Sequence, residues 1–424
     1  MASVPGNGLL AQARGLTTDQ RNAFIAAFLG WTMDAFDYFL LIFVLSEVAS
    51  SFGASVTQVA FATTLTLVAR PFGALFFGLL ADRFGRRLPL MADVLFYTIV
   101  EFLTGFSNSL TMLLVLRTLY GIGMGGEWGI GASLALEKIP PEKRGFFSGV
   151  LQEGYAFGYL LAALMFYLVT QLLGLSWHWL FFIGALPALL VLFIRARVGE
   201  SEAWEQTQER MRQTRTSLSE VVFNRTVLRR FIYLVILMGF FNFMSHGTQD
   251  IYPTFLEEQH GFSSDMAVLV AVIYNIGAII GGIVVGSLSE RIGRRKAIIA
   301  SALIGIPITP LFALSSSLGF LAAGAFLMQF VVQGAWGVIP AHLTEMSYDE
   351  IRGFFPGVTY QLGNLLAALN LPLQSAIASS TGGNYAIGLL AITVPVLIGV
   401  AVVTALGGEA RGVRFGKGEA GRVS

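Results

Sequence analysis

The chain reads as an all-α membrane protein, twelve transmembrane helices arranged as two six-helix halves. Three observations predict this. Apolar runs of about 20 residues, each long enough for a bilayer core about 30 Å thick, recur along the whole sequence. Short motifs repeat at one fixed offset. Positive charge collects in the connections on one side of the expected membrane. Composition agrees: of 424 residues, 55% are hydrophobic and 12% charged, where soluble domains carry about 25% charged residues.

The runs fall at 22–48, 56–80, 88–106, 111–137, 145–171 and 177–197, then at 228–256, 265–289, 297–315, 318–345, 353–379 and 384–406. The first six give an N-terminal half, residues 1–197. Residues 198–227, rich in Glu, Arg, Gln, Ser and Thr, read as a linker on the basic side. The rest, 228–424, is the C-terminal half with a short tail. No cleavable signal peptide is visible, because the first apolar run is too long for one.

The repeat ties the halves together. GLLADRFGRR, Gly78 to Arg87, recurs as GSLSERIGRR, Gly286 to Arg295, and 286 − 78 = 208. Glu137 with Arg144-Gly145-Phe146-Phe147 aligns with Glu345 and Arg352-Gly353-Phe354-Phe355, again 345 − 137 = 208. Trp128 matches Trp336 at the same offset. Two halves of like orientation, related by an axis along the membrane normal, produce such a pattern.

Of the 27 Lys and Arg, only Arg70 and Arg117 lie deep inside the runs; Arg195, Arg197, Arg229 and Arg230 sit at run ends beside the linker. The others sit in the termini and in the even-to-odd connections, all on one side. By the positive-inside rule both termini are cytoplasmic, and a multi-pass protein of the cell (inner) membrane is expected. The net charge of +1 carries no information, and nothing suggests a nucleic acid. A monomer is expected. There is no cysteine, no glycine-rich phosphate loop with Lys and no His pair at metal spacing, so neither an enzyme, a cofactor nor a metal is indicated. Glycine pairs such as Gly154/Gly158 and Gly277/Gly281 fit close helix packing.

The most informative stretch is NFMSHGTQDIYPT, 242–254. Asn242, His246 and Asp250 stand on one helix face, with Ser245 and Gln249 beside them. Polar groups at membrane depth mark function by default. His246 reads as the one intramembrane imidazole, able to take and release a proton near neutral pH. Gly247 and Pro253 permit a local break. Arg70 and Arg117 each need an anion, either an organic carboxylate or an internal partner among Asp37, Glu101 and Glu127. Asp34 and Asp37, three apart, share a face and read either as a proton carrier or as a counter-ion. Glu127 and Glu153 face the same choice, whereas Asp93 and Glu101 read as structural. Asn275, Gln329, Gln333, Gln361 and Asn364 either meet a substrate or join helices. Phe36, Tyr38, Tyr155, Tyr159, Tyr274 and Tyr360 shape a cavity or pack.

The Gly-x3-Asp/Glu-Arg-x-Gly-Arg-Arg motif between helices 2 and 3, repeated between 8 and 9, resembles that of the major facilitator superfamily. The resemblance covers nearly the whole chain. It implies a rocker-switch transporter with its substrate site near the midplane between the halves. It further implies ion pairs closing the cytoplasmic side among Asp82, Arg83, Arg86, Glu137, Arg144, Glu290, Arg291, Arg294, Glu345 and Arg352; otherwise these are topology charges. Arg117 opens RTLYGIGMGG, similar to the superfamily's helix 4 motif, associated with proton coupling. Asn242, Ser245, His246, Thr248, Gln249, Asp250 and Thr254 match the helix 7 signature of the lactate/sialate:proton symporters.

That narrower resemblance implies a proton-coupled symporter of small monocarboxylates such as lactate or pyruvate. Arg117, the favoured cation, or Arg70 would hold the carboxylate with Asn242, Ser245, His246, Gln249, Asn275 and Gln333. The proton would ride on Asp34/Asp37 or on His246/Asp250, with Glu127 and Glu153 as further acids. Asp34-Ala35-Phe36-Asp37 also resembles the Asp-Gly-x-Asp of aromatic-acid:proton symporters, from which Ala35 departs. Sialic acid and a transporter-like receptor that binds without transport remain alternatives.

Overall fold

The computed structural model describes residues 15–418. Twelve helical spans run through them. The first half holds α1 (Thr18–Phe43), α2 (Val56–Phe84), α3 (Arg87–Thr104), α4 (Leu110–Lys138), α5 (Pro141–Leu172) and α6 (His178–Arg197). The second holds α7 (Arg225–Gln259), α8 (Ser264–Ile292), α9 (Arg294–Ala313), α10 (Leu318–Met346), α11 (Phe355–Ala367 with Asn370–Ser380) and α12 (Tyr385–Leu406). Nine of these meet length and hydropathy criteria for crossing a membrane. The other three, α3, α4 and α11, carry buried polar groups, Asp93 and Glu101, then Arg117 and Glu127, then Gln361 and Asn370, and α11 is also broken into segments of 13 and 11 residues. Polar residues turned inward are the arrangement a bilayer enforces.

Local sequence sets the ends. Thr17, Ser55, Ser109 and Ser263 cap α1, α2, α4 and α8 by accepting a hydrogen bond from a first-turn amide. Gly85 and Gly293, at φ of 96° and 99°, end α2 and α8 in a conformation other residues avoid. Several helices are interrupted. α5 changes course at Glu153, α6 between Ile183 and Ala188 around Gly184 and Pro187, and α11 at Ala368–Leu369. The break in α7 falls at Asp250–Ile251 rather than at Gly247, which stays helical. The Gly247 carbonyl is held by Gln374 Nε2 at 2.7 Å and Thr393 Oγ1 at 3.3 Å.

The repeat in sequence is a repeat in packing. α2 crosses α4 where Gly73 faces the Ile122 carbonyl, and α8 crosses α10 where Gly281 faces the Phe330 carbonyl. Both pairs are 208 apart (281 − 73 and 330 − 122). A Cβ added at Gly281 would lie 2.0 Å from the Phe330 oxygen, so only glycine permits this approach.

The two halves meet on the basic side. Gly149 of α5 packs on Gly282 of α8, and Gly129 of α4 on Gly357 of α11. Ser148 donates to the Gly337 carbonyl at 2.7 Å, and Ser133 to that of Arg352 at 2.6 Å. Beyond Glu153, α5 packs chiefly on α1 of its own half. The molecule is therefore shut at the basic side, with a cleft between the halves toward the other. A helix of the linker, Glu202–Thr214, lies across the shut face and buries Ala203, Thr207 and Met211.

Substituting Gly281 by Val should lower the detergent melting temperature by several degrees, since overpacking costs about 1–3 kcal/mol. Gly319→Ala, at an open position, should leave it unchanged. Equal melting of both variants would contradict the close crossing.

Candidate functional site

The polar and aromatic residues of the cleft come from α1, α2, α4, α5, α7, α10 and α11. His246 and Asp250 stand on its wall. Their side chains are 40% and 32% exposed although protein encloses the imidazole, as expected of a water-filled cleft. The His246 Nδ1 lies 3.0 Å from Asp250, and its Nε2 lies 3.3 Å from Asn364 on α11. The imidazole thus has a carboxylate on one nitrogen and an amide on the other. Ser245 accepts from Gln333 Nε2 at 3.1 Å, and Gln249 donates to Gln329 at 2.8 Å. The helix 7 stripe is therefore bound to α10 and α11. Asn242 and Asn275 are not part of it. Each donates to a carbonyl four residues back in its own helix, Met238 and Ala271, both at 2.8 Å.

The two intramembrane arginines differ in kind. Arg117 is fully buried, donates to Glu101 at 2.7 Å and stacks over Tyr120 at 4.1 Å. Its charge is already matched inside the first half, by an acid that the sequence marked as structural. Arg70 is 3% exposed and forms no ion pair with any carboxylate among the described residues. Its Nε and Nη2 have no hydrogen-bond partner, and its guanidinium sits 5.8 Å from the Tyr360 ring of the opposite half. The preference for Arg117 as the cation facing a ligand does not survive this geometry.

Aromatic rings floor the cleft around Arg70. Tyr360 packs on Trp128 at 4.7 Å and on Trp336 at 5.7 Å, and Trp31 bridges Trp128 and Tyr155. The two tryptophans are repeat equivalents, one from each half. All three indole N–H groups lack a partner, as do both polar atoms of Gln361. Sequence composition hid this floor, since a tryptophan in an apolar run is usually packing.

Acids crowd the first half. Asp34 accepts the Tyr120 hydroxyl through its backbone oxygen at 2.7 Å, with Arg70 and Arg117 the cations acting on its carboxyl. Asp37, Glu127 and Asp93 are fully buried, and neither carboxyl oxygen of any of them has a partner. Glu127 packs against Gly30 of α1, and Glu153 against Gly282 of α8. A second intramembrane imidazole also exists: His342, fully buried in α10, both ring nitrogens without a partner. It lies near the basic end of its helix, where an apolar run concealed it, and corrects the reading of His246 as the single one. A groove of about 400 Å3 between α1, α5 and α6 offers only apolar side chains and nothing to recognise a charge. No His, Asp and Glu group among the described residues could hold a metal ion.

At the basic side the repeated motifs interlock. Arg86 binds Asp82 at 2.7 Å and Glu137 at 3.0 Å; Arg294 binds Glu290 at 2.7 Å and Glu345 at 2.9 Å. Across the halves, Arg352 reaches Glu137 at 3.5 Å and Arg144 reaches Glu345 at 3.6 Å. Asp82 also accepts from the amides of Gly353 and Phe354 at 2.7 and 3.0 Å, and Glu290 accepts from that of Gly145. Each carboxylate thus grips the start of a helix in the other half. Arg83 and Arg291 differ from the expected set: both are exposed and neither forms an ion pair among the described residues. Asp349, which takes Arg352 at 2.5 Å, went unread in sequence because it lies in a short connection.

Glu101→Gln should strand Arg117 as a buried unpaired charge. Breaking such a pair costs about 3–5 kcal/mol, so the variant should melt well below the parent in detergent. The double change Glu101→Gln with Arg117→Met should recover most of the loss. An unshifted melting temperature for the single variant would show that Arg117 has another partner.

The Major Facilitator Superfamily family model matches residues 27–269 and 251–421. A "Carboxylic acid transporter protein homolog" of Saccharomyces cerevisiae is 28% identical over 392 residues, which is 87% of this chain and 63% of that longer protein. A "Probable 4-methylmuconolactone transporter" of Cupriavidus pinatubonensis is 31% identical over 374 residues, covering 87% of this chain and 86% of that one. In fold, the proton:xylose symporter XylE superposes with a TM-score of 0.75 at 18% identity, covering 95% of this chain and 98% of that chain. With its two interlocked six-helix halves and a match over most of its length, the chain belongs to the Major Facilitator Superfamily.

Proposed function

We propose that this protein is a proton-coupled symporter of small carboxylates, lactate or pyruvate among them, working by alternating access in the cell membrane with its basic side cytoplasmic. One observation carries the reading. Arg70 is a buried cation at the floor of the cleft with no carboxylate at ion-pair distance among the described residues, Asp34 acting on it only from farther away, and a guanidinium fork matches a carboxylate. An unpaired cation at this depth costs about 2.5–3.5 kcal/mol or more, so a bound carboxylate recovers stability that the empty site lacks. The relatives named for carboxylic acid and methylmuconolactone transport support an organic acid as the class.

Substrate would enter from the open side, with its carboxylate on Arg70 and its polar groups toward Ser245, Gln249, Gln333 and His246. Two proton sites stand on opposite halves. Asp34 and Asp37 lie in the first, His246 and Asp250 in the second. An acid without a partner disfavours moving through a closed state while ionised, so a proton taken up with the substrate lets the loaded carrier switch. A second reading follows from the floor. Trp128, Tyr360 and Trp336 offer flat faces and free indole N–H donors, which suit planar unsaturated or aromatic acids. Sialic acid is a further competitor in the same test.

Uptake of labelled L-lactate into proteoliposomes, inside pH 7.5 and outside pH stepped from 7.5 to 5.5, separates these readings, with pyruvate, benzoate and sialic acid as competitors. Concentrative uptake that a protonophore abolishes is the expected result. No uptake of any of these acids would reject the proposal, and preference for benzoate would select the planar class. Arg70→Lys should weaken substrate affinity at least tenfold, since the fork is lost; unchanged affinity would remove Arg70 from the site. His246→Ala should flatten the pH dependence, and a parent-like profile would leave the proton to Asp34 and Asp37.

A further inference from the structure

The chain does not stop at α12. From Glu409 onward it folds back across the shut basic face, where neither the transport reading nor the sequence gave it a role. Glu409 accepts from the amides of Arg294 and Arg295 at 3.2 and 3.1 Å, capping α9 as Glu200 caps α3 on Arg86 and Arg87. Arg411 Nη1 donates to the carbonyls of Glu290 and Arg291 at 3.0 and 2.7 Å. Arg144 Nη1 donates to the Val413 carbonyl at 2.6 Å. Phe415, 7% exposed, lies 3.6 Å from the Arg144 guanidinium and 3.9 Å from that of Arg352. Gly416 accepts from Arg210 of the linker helix at 2.8 Å, and Gly418 donates to Asp349 at 2.8 Å. Gly412, Gly416 and Gly418 all have positive φ, so the path is turned by glycines.

We propose that residues 409–418 form a strap that holds the basic side shut and must release before it opens. Its contacts come from both halves. Arg144 comes from the first half and Arg352 from the second, and they approach each other only because the halves are closed. Two guanidinium groups so placed repel. The negative face of an aromatic ring attracts cations, and the Phe415 ring lies within about 4 Å of both. When the halves part, one ring no longer meets both cations. The strap therefore binds the closed state better than the open one, which is the condition for shifting the balance between them. It touches three other parts of the closure as well: Glu290, Asp349 and the linker through Arg210. Burial opposes the Asp349 charge, but Arg352 and the Gly418 and Gly416 amides hold its carboxyl below the usual carboxylate range. Unlike the linker, the strap follows α12 and does not join the two halves, so its release leaves them connected.

The absence of cysteine gives a clean reporter. Ser148 is fully buried between the halves on the basic side. In purified protein in detergent, a Ser148→Cys thiol should react slowly with a water-soluble maleimide, because labelling waits for the basic side to open. Adding Phe415→Ala should speed labelling about tenfold, and a chain ended after Glu409 should do the same while keeping the α9 cap. Phe415→Tyr, which retains the aromatic face, should label as slowly as the parent. Unchanged labelling in both the alanine and the shortened chains would overturn the proposal, as would a Tyr variant that opens like Ala. The three are compared only where size exclusion shows a monodisperse peak at parent elution. No substrate enters the measurement, so its failure is separate from any failure of the transport reading.

Discussion

Two carboxylates set the conformation of this molecule. Asp82 and Glu290 each leave their own half and accept from backbone amides at the start of a helix in the other, at Gly353 and Phe354 and at Gly145. Charge-assisted bonds of this kind are roughly twice as strong as neutral ones and fix direction. They also bring an anion to the positive end of a helix dipole. Arg86 and Arg294 hold the two acids in place from behind, and both are fully buried. With the basic side sealed at these points, the halves diverge on the other side, and His246 and Arg70 come to line one cleft.

Within that cleft the balance of charge matters more than any single contact. Arg117 and Glu101 neutralise one another inside the first half. Arg70 meets Tyr360 of the second half and forms no ion pair among the described residues. Several acids are buried without partners, so the first half holds more carboxyl groups than its two deep cations match. A scaffold that keeps a cation without a carboxylate partner where its halves meet, and acids without partners inside the first half, loses stability there. Membrane proteins retain such groups where a ligand or a proton completes them.

Much of the architecture was legible in the chain. Long apolar runs give spans because a bilayer accepts little else, and all twelve runs correspond to helices within a few residues. The offset of 208 predicted which residues would be equivalent, and the structure uses that equivalence at Gly73 and Gly281 and in both clamps. What could not be read were partnerships across helices. Nothing in spacing says that Arg117 meets Glu101 rather than Asp37, since that depends on how α3 and α4 rotate about their axes. Asn242 and Asn275 looked like ligands but satisfy their own helix carbonyls, an option open to any short amide at four-residue reach. His342 was concealed by its apolar neighbours. Phe415 and Asp349 carried no periodic signal because they lie in irregular chain. Arg83 and Arg291 match the motif in sequence yet point outward, so a motif match did not fix a side chain's contacts.

In the proposed symport, proton movement accompanies carboxylate movement. The most direct test uses proteoliposomes with a pH-sensitive dye trapped inside, equal pH on both sides, and a sudden addition of L-lactate or benzoate outside. Symport should give rapid internal acidification that scales with the imposed carboxylate gradient and is absent from protein-free vesicles. Carboxylate entry, followed in parallel with label, that leaves the dye unchanged would contradict it.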